Sequence, residues 1–278
     1  MRETEEQHPS AGTRTVPRPY YTDGGLNVET YDARTAGFPG EIEWWVRHAV
    51  ASGGPVLELA CGTGRITWPI ARAGVHVVGL DLGSGMLRIA ESKRAHESRE
   101  VSERVRFVRG DMTDFAIGEA FALVIVPFRA FQALLTPEAQ RSSLTCVGQH
   151  LKPGGRLIID LFDPRLDWLL PDRVDPPVHD RPRVTHPATG NTVTVEVLER
   201  ANDPLTQLLW ERWRFTELGP DGEVVRREEE ALELRWTYRY EMRYLLELYG
   251  FAIEGEFADF TGAPPAYGRE QIWVASLA

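Results

Sequence analysis

A short apolar strand that runs straight into a glycine turn, VLELACGTG at residues 56–64, constrains this chain more than any other stretch. Val56 and Leu57 supply a buried parallel strand, and Gly62 and Gly64 let the backbone turn tightly with no side chain in the way. RITWPIARAG continues as a helix, so the stretch predicts strand, turn and helix with a ligand lying against the turn. Glu58, at the strand's end, narrows that ligand. A carboxylate there repels a pyrophosphate but accepts hydrogen bonds from an ammonium group or binds a hydroxyl.

That chemistry suits S-adenosylmethionine better than NAD, whose fingerprint G-x-G-x-x-G also needs a glycine where this chain has Thr67. Composition sets the outer limits. A chain of 278 residues with 42% apolar content builds an ample core, as one large domain or a domain with an elaboration. A net charge of −10 argues against broad contact with a phosphate backbone, so nucleic acid is not an expected partner. Cys61 and Cys146 form neither zinc spacing nor a disulfide framework, which fits a reduced cytoplasmic setting. No two histidines combine with cysteine or acid at metal spacing, so no metal is expected. Residues 1–19 are polar with no apolar signal core and read as a disordered head, and no stretch is long and apolar enough to predict a membrane partner.

After the glycine turn the pattern repeats as strand and helix. VHVVGLD ends at Asp81, RVRFVRGDM at Asp111, FALVIVPF near Phe128, and RLIIDLF follows the turn KPGG. Such alternation predicts a parallel sheet with helices on both faces and ligands beyond the carboxyl ends of the strands, where Glu58, Asp81 and Asp111 all fall. Each carboxylate has a plainer reading: Glu58 and Asp81 are also placed to cap the helices that follow them. Capping does not explain why carboxylates recur along one sheet edge beside a glycine turn.

In these motifs the chain resembles class I S-adenosylmethionine-dependent methyltransferases, in the branch that acts on small molecules. The resemblance covers roughly residues 20–162 and the closing stretch from about 240. The family's acidic-x-Gly-x-Gly-x-Gly motif is carried by Glu58, Ala60, Gly62 and Gly64, with Ala60 as the departure. The resemblance implies that Asp81 holds the ribose hydroxyls, that Asp111 and Met112 contact the adenine, and that Tyr31, Leu82, Met86 and Val126 line the cofactor pocket. It implies an α/β fold: a Rossmann-like, seven-stranded methyltransferase sheet with helices on both faces and an inserted antiparallel β lid. On this reading residues 20–163 form the cofactor-binding core, 164–236 a loop and lid, and 237–278 a helix and strands completing the core.

The lid rests on NTVTVEVLER, TQLLWERWRFTEL and EVVRREEEALELRW, which alternate with period two, with Glu228 to Glu230 as a solvated strand edge. A homodimer through this sheet would cover its strand edges. Ahead of the first strand, Trp44 and Trp45 staple a helix to the sheet, while Tyr20 and Tyr21 are candidates to fold over the acceptor. Phe128 is placed to wall the transferring methyl group, Arg129, Gln132, Trp168 and Tyr267 to bind a polar or aromatic acceptor, and Phe131 to fill core. His179 and His186 lie in the presumed lid, each readable as a general base or as a solvated loop residue. An amine acceptor dispenses with such a base, so nitrogen is expected over oxygen, on a small molecule of secondary metabolism. Two other readings share the cofactor cradle: an S-adenosylmethionine-fold enzyme running a cyclisation, and a noncatalytic adenosyl-ligand binding subunit.

Overall fold

The computed structural model describes residues 18–20, 23–35, 37–165 and 183–277. A short strand β1 (Arg18–Pro19) and two single-turn helices, α1 (Leu26–Glu29) and α2 (Tyr31–Arg34), precede α3 (Glu41–Ser52). Gly53, at φ 71°, ends α3 in the left-handed conformation that an L side chain resists. The alternating core follows as β2 (Val56–Leu59), α4 (Thr67–Arg72), β3 (Val77–Asp81), α5 (Ser84–Ser92), α6 (Arg99–Ser102), β4 (Val105–Arg109), β5 (Phe121–Val126), α7 (Pro137–His150) and β6 (Leu151–Phe162). Thr136 caps α7 by accepting from the Ala139 amide, with Pro137 at the first helical position. The chain continues through β7 (Val184–Thr185), β8 (Thr192–Asp203), β9 (Leu208–Leu218), β10 (Val224–Arg235), α8 (Arg239–Leu248), β11 (Phe251–Phe257) and β12 (Glu270–Leu277).

Seven strands form the core sheet in the order β11-β12-β6-β5-β2-β3-β4. The five strands from β6 to β4 run parallel, and β12 and β11 join antiparallel at one end. From β2 the chain first builds toward β4, then crosses to β5 and builds the other way. The order therefore reverses between β2 and β5, and a doubly wound sheet opens its ligand crevice at such a reversal. The glycine turn after β2 and the segment after β5 thus flank one crevice.

Period-two alternation splits the strand residues between two cores. Leu57 and Leu59 face one, with Val124, Val126, Leu144, Met242 and Trp273; Val56 faces the other, with Trp44, Trp45, Ile66 and Trp68. Trp44 and Trp45 are buried there as the staple of α3, and Phe131 lies in the first core. Glu58 alternates onto the Val56 side, toward α4.

The lid is a second sheet of order β1-β10-β9-β8-β7, with β8, β9 and β10 antiparallel as the alternation predicts. Val193, Val195, Val197, Trp213 and Phe215 make its inner face and close over Leu26 of α1. Two expectations are corrected. Glu228 to Glu230 are not a solvated edge, because β1 pairs parallel along β10 and α1 packs beneath it. Glu230 is 0% exposed and accepts from the Asn27 amide at 2.6 Å, while Glu228 accepts the Leu26 N–H at 2.8 Å. KPGG is not a turn ahead of the strand either: β6 runs through it from Leu151, with a register shift against β5 that absorbs Gly154 at φ 74°.

Candidate active site

The turn after β2 is built from left-handed residues. Ala60, Gly62 and Gly64 have φ of 55°, 56° and 74°. The Cys61 N–H donates to the Leu80 carbonyl at 3.0 Å, and the Gly64 N–H donates to the Cys61 carbonyl at 2.9 Å, which ties the turn to β3 and closes it. A Cβ placed on Gly62 would meet nothing within 4 Å, whereas one on Gly64 would meet Trp68 at 3.0 Å and Phe107 at 3.2 Å. Gly62 therefore borders open space, and Gly64 is small to admit the packing of α4. The departure at Ala60 costs backbone strain of about 1–2 kcal/mol rather than space.

Asp81, at the end of β3, secures the same turn. Its Oδ2 accepts the Gly62 N–H at 2.7 Å and its Oδ1 the Gly83 N–H at 2.7 Å, so it holds the glycine turn and the residue just ahead of α5 at once, without capping that helix. Burial raises its pKa, with those two N–H groups pulling it back. Each carboxylate oxygen keeps a lone pair for a further donor such as a ribose hydroxyl. Glu58 is 2% exposed and accepts the Thr67 hydroxyl at 2.5 Å. Burial pushes its carboxyl up to about 8 against the pull of Thr67 and Arg65, so it is protonated at neutral pH until a cation approaches.

Asp111 is exposed just beyond β4, where it accepts from the Thr113 N–H at 2.8 Å and from the Thr113 hydroxyl at 2.7 Å; Met112 beside it packs against the core. Leu82 is exposed on the loop between Asp81 and α5, and Val126 is buried at the end of β5. Met86 packs with Val28 and Tyr31, which brings the N-terminal segment over the edge of the cradle.

That segment is clipped down by residues the sequence reading missed. The Thr63 hydroxyl, inside the glycine turn, donates to Asp32 at 2.6 Å; Lys93 reaches both Asp32 at 2.6 Å and the Thr63 carbonyl at 2.8 Å. Ser84, at the start of α5, donates to Asp23 at 2.6 Å. Isolated polar residues in a loop carry no periodic signal; only their nearness to Tyr31 and to the glycine turn pointed here.

The segment after β5 forms the other wall of the crevice. Phe128 and Arg129 are successive left-handed residues, at φ 57° and 63°. Asp160 of β6, read from sequence only as a strand residue, accepts the Phe128 N–H at 2.6 Å and the Arg129 N–H at 3.1 Å. The Arg65 guanidinium lies 4.7 Å over the Phe128 ring and forks onto Glu41 with two bonds of 2.8 Å. Arg129 lies over the Phe38 ring at 5.0 Å and is paired with Glu270. Gln132 is fully buried, its carbonyl accepting the Phe162 N–H at 3.0 Å.

The remaining expected acceptor residues scatter. Tyr20 packs on the lid's inner face, 5.5 Å from Trp213. Tyr267 is 61% exposed in the segment ahead of β12. His186 is buried where the lid meets α1. Its Nε2 lies 3.0 Å from Glu29, and its Nδ1 accepts the Ala188 and Thr189 N–H groups at 3.2 and 3.3 Å. Tyr21, Trp168 and His179 lie outside the described residues. Among the described residues no helix is long and apolar enough to cross a membrane, and no cluster of three or more His, Cys, Asp or Glu is placed to hold a metal ion.

Comparison with known proteins agrees with this geometry. A family model described as a methyltransferase domain matches residues 56–155, from β2 into β6. The cypemycin N-terminal methyltransferase of Streptomyces sp is 26% identical over 253 residues, covering 89% of this chain and 94% of that relative. The CcbJ methyltransferase of Streptomyces caelestis superposes with a TM-score of 0.73 at 22% identity, over 94% of this chain and 98% of that one. The S-adenosylmethionine-bound CalS10, an amino pentose methyltransferase from Micromonospora echinaspora, gives 0.65 at 22% identity over 92% and 98%. Residues 56–155 thus match a methyltransferase domain, and the fold and motif order are those of class I S-adenosylmethionine-dependent methyltransferases.

Proposed function

We propose that this methyltransferase moves the methyl group of S-adenosylmethionine to an amine nitrogen on a small molecule of secondary metabolism. One observation favours nitrogen over oxygen. Among the described residues, the ionisable side chains that contact Phe128 and Arg129 are already committed to protein partners: Arg65 to Glu41, Arg129 to Glu270, and Asp160 to two backbone N–H groups. An unprotonated amine attacks a sulfonium carbon without help, whereas a hydroxyl needs a base to take its proton. The cypemycin relative is named for N-terminal methylation and CalS10 for an amino pentose, which supports the same choice.

When bound, S-adenosylmethionine supplies an electrophilic methyl group on a sulfonium centre. The chain's residues supply binding, alignment and exclusion of water. The open space at Gly62 fits the amino-acid portion of the cofactor, with Glu58 facing its ammonium group and Asp81 its ribose; Leu82, Asp111 and Met112 flank the adenine. Ala60, Gly64, Tyr31, Met86 and Val126 shape the pocket around these groups. Phe128 walls the methyl group from the β5 side and Tyr20 the acceptor from the lid. Arg129 stands next to Phe128 on the acceptor side, Gln132 supports that segment from the buried side by accepting the Phe162 N–H, and His186 serves to dock the lid rather than as a base.

The test is incubation of the chain with methyl-labelled cofactor and paired acceptors, such as amino-sugar nucleotides and their hydroxyl counterparts. Label should enter the amines, at a rate that rises through the amine's own pKa. Label in the hydroxyl compounds alone overturns the nitrogen assignment; consumption of cofactor with no label transferred favours a non-methylating reaction. The reading includes a cytoplasmic enzyme, consistent with Cys61 and Cys146 as free thiols, that does not act on nucleic acid. It also includes a homodimer through the lid. Two-residue strands β1 and β7 already flank that sheet, so such a contact would use the exposed Val224 and Val225.

A further inference from the structure

Asp160 is fully buried, on the strand beside β5, and it has no place among the groups assigned above to cofactor or acceptor. Its surroundings disfavour a carboxylate. The carboxyls of Glu270 and Glu41 are near enough to oppose its charge, with Arg129 the opposing cation, and burial drives its pKa well up. An apolar residue would suit the same strand position better on packing grounds alone. What Asp160 does is geometrical: its two oxygens accept the N–H groups of Phe128 and Arg129 at 2.6 and 3.1 Å.

Those two residues need an external hold. Neither is glycine, yet both lie in the left-handed region, at φ 57° and 63°, a conformation L residues visit singly rather than in runs. Without acceptors on the neighbouring strand, the segment after β5 would relax toward ordinary extended or right-handed backbone. Relaxation would swing the Phe128 ring away from Arg65 and Phe38, which it contacts at 4.7 and 5.7 Å.

We propose that Asp160 is a positioning residue for methyl transfer: it clamps the Phe128–Arg129 turn and so sets the Phe128 ring as the wall of the methyl site. The proposal rests on the assignment of Phe128 to that wall, and the experiment separates the two claims. The probe is S-adenosylmethionine carrying a 13C methyl group, bound to the full chain and observed by NMR. An aromatic wall shields the methyl group, so Phe128→Leu should remove an upfield shift that the wild type shows. Asp160→Ala should remove the same shift and the isosteric Asp160→Asn, which keeps an acceptor for only one of the two amides, should reduce it, while cofactor affinity stays within about threefold, well under a tenfold step. Adding Arg129→Gly, which makes the left-handed turn accessible without a clamp, should restore the shift in the Asp160 variants. In the cofactor-free chain the Phe128 amide proton should move upfield in Asp160→Ala, which removes the acceptor of its 2.6 Å bond.

A resonance indifferent to Phe128→Leu overturns the wall assignment and the proposal with it. One that responds to Phe128→Leu but not to either Asp160 variant overturns the clamp alone. Failure of Arg129→Gly to restore the shift shows that Asp160 acts by some route other than the turn, and also overturns the clamp. If the alanine variant does not fold, the asparagine variant, which preserves volume, carries the comparison by itself.

Discussion

The Thr67 hydroxyl lies 2.5 Å from the Glu58 carboxyl, so the residue standing where a dinucleotide fingerprint wants glycine is the hydrogen-bond partner of the acid that disfavours a dinucleotide. The pair sets a pH dependence. Burial raises Glu58 from 4.5 to about 8, so the folded chain keeps a proton that the unfolded chain releases. The resulting stability is fully present below about 4.5 and is lost as pH rises toward 8. An ammonium group beside Glu58 reverses the preference, and cofactor binding at pH 7 should release close to one proton, with affinity rising from pH 6 to 8. Calorimetry in buffers of different ionisation enthalpy measures this, and Glu58→Gln should abolish it. Binding without proton release would mean that Glu58 does not meet the ammonium group.

The glycines of the turn should separate binding from folding. Gly62→Ala puts a methyl group into open space at φ 56°, so it should cost about 1 kcal/mol of stability and weaken cofactor binding tenfold or more. Gly64→Ala meets Trp68 at 3.0 Å and Phe107 at 3.2 Å, so it should cost ~1–3 kcal/mol of stability, with cofactor binding weakened less than by Gly62→Ala. Thermal unfolding without cofactor, paired with calorimetry, distinguishes the two. Equal binding losses in both variants would remove the distinction between a ligand-facing and a packing glycine.

How far these sites were legible follows from the kind of signal each leaves. The Rossmann-like core shows in sequence because buried parallel strands must be continuous apolar runs and the turn after the first needs glycine; VLELACGTG and VHVVGLD satisfy both locally. The lid shows because period-two alternation survives in β8, β9 and β10. Contacts made across the fold leave no such trace. EEE reads as a solvated edge until β1 and α1 cover it, and Asp160 reads as one acid in an apolar strand until its neighbour β5 presents two N–H groups. The latch of Asp32, Thr63 and Lys93 spans thirty or so positions between each end, too far for local pattern to register.

Asp81 should contribute to binding twice, once through a ligand hydroxyl and once by holding the Gly62 amide at 2.7 Å. Asp81→Ala should therefore weaken S-adenosylmethionine and its demethylated product alike, by roughly 1.5–3 kcal/mol, the range for lost charge-assisted hydrogen bonds. Asp81→Asn keeps an acceptor for one of the two amides and should lose less. Titration of each variant with the demethylated product, which lacks the sulfonium charge, checks that the loss is independent of that charge. An affinity unchanged in Asp81→Ala would remove Asp81 from the cofactor site.

His186 and Glu29 supply the sharpest choice between acceptor chemistries. Glu29 is drawn into the charged state by His186 and Arg226 despite partial burial, so removing the imidazole leaves it paired with Arg226 alone. The Nδ1 atom of His186 already accepts two backbone N–H groups, which leaves the Nε2 proton pointed at Glu29 and the ring without a free basic nitrogen. His186→Ala should therefore lower stability by about 1–2 kcal/mol, through the lost bonds of a buried ring, while turnover of an amine acceptor stays within a fewfold of wild type. His186→Gln, whose amide nitrogen can donate to Glu29, should recover part of the stability. Unfolding measured alongside single-turnover methyl transfer reads both effects on the same samples. A hundredfold or larger fall in transfer, with cofactor affinity unchanged and the fold intact, would instead make His186 a base at the reacting atom and move the acceptor from nitrogen to a hydroxyl.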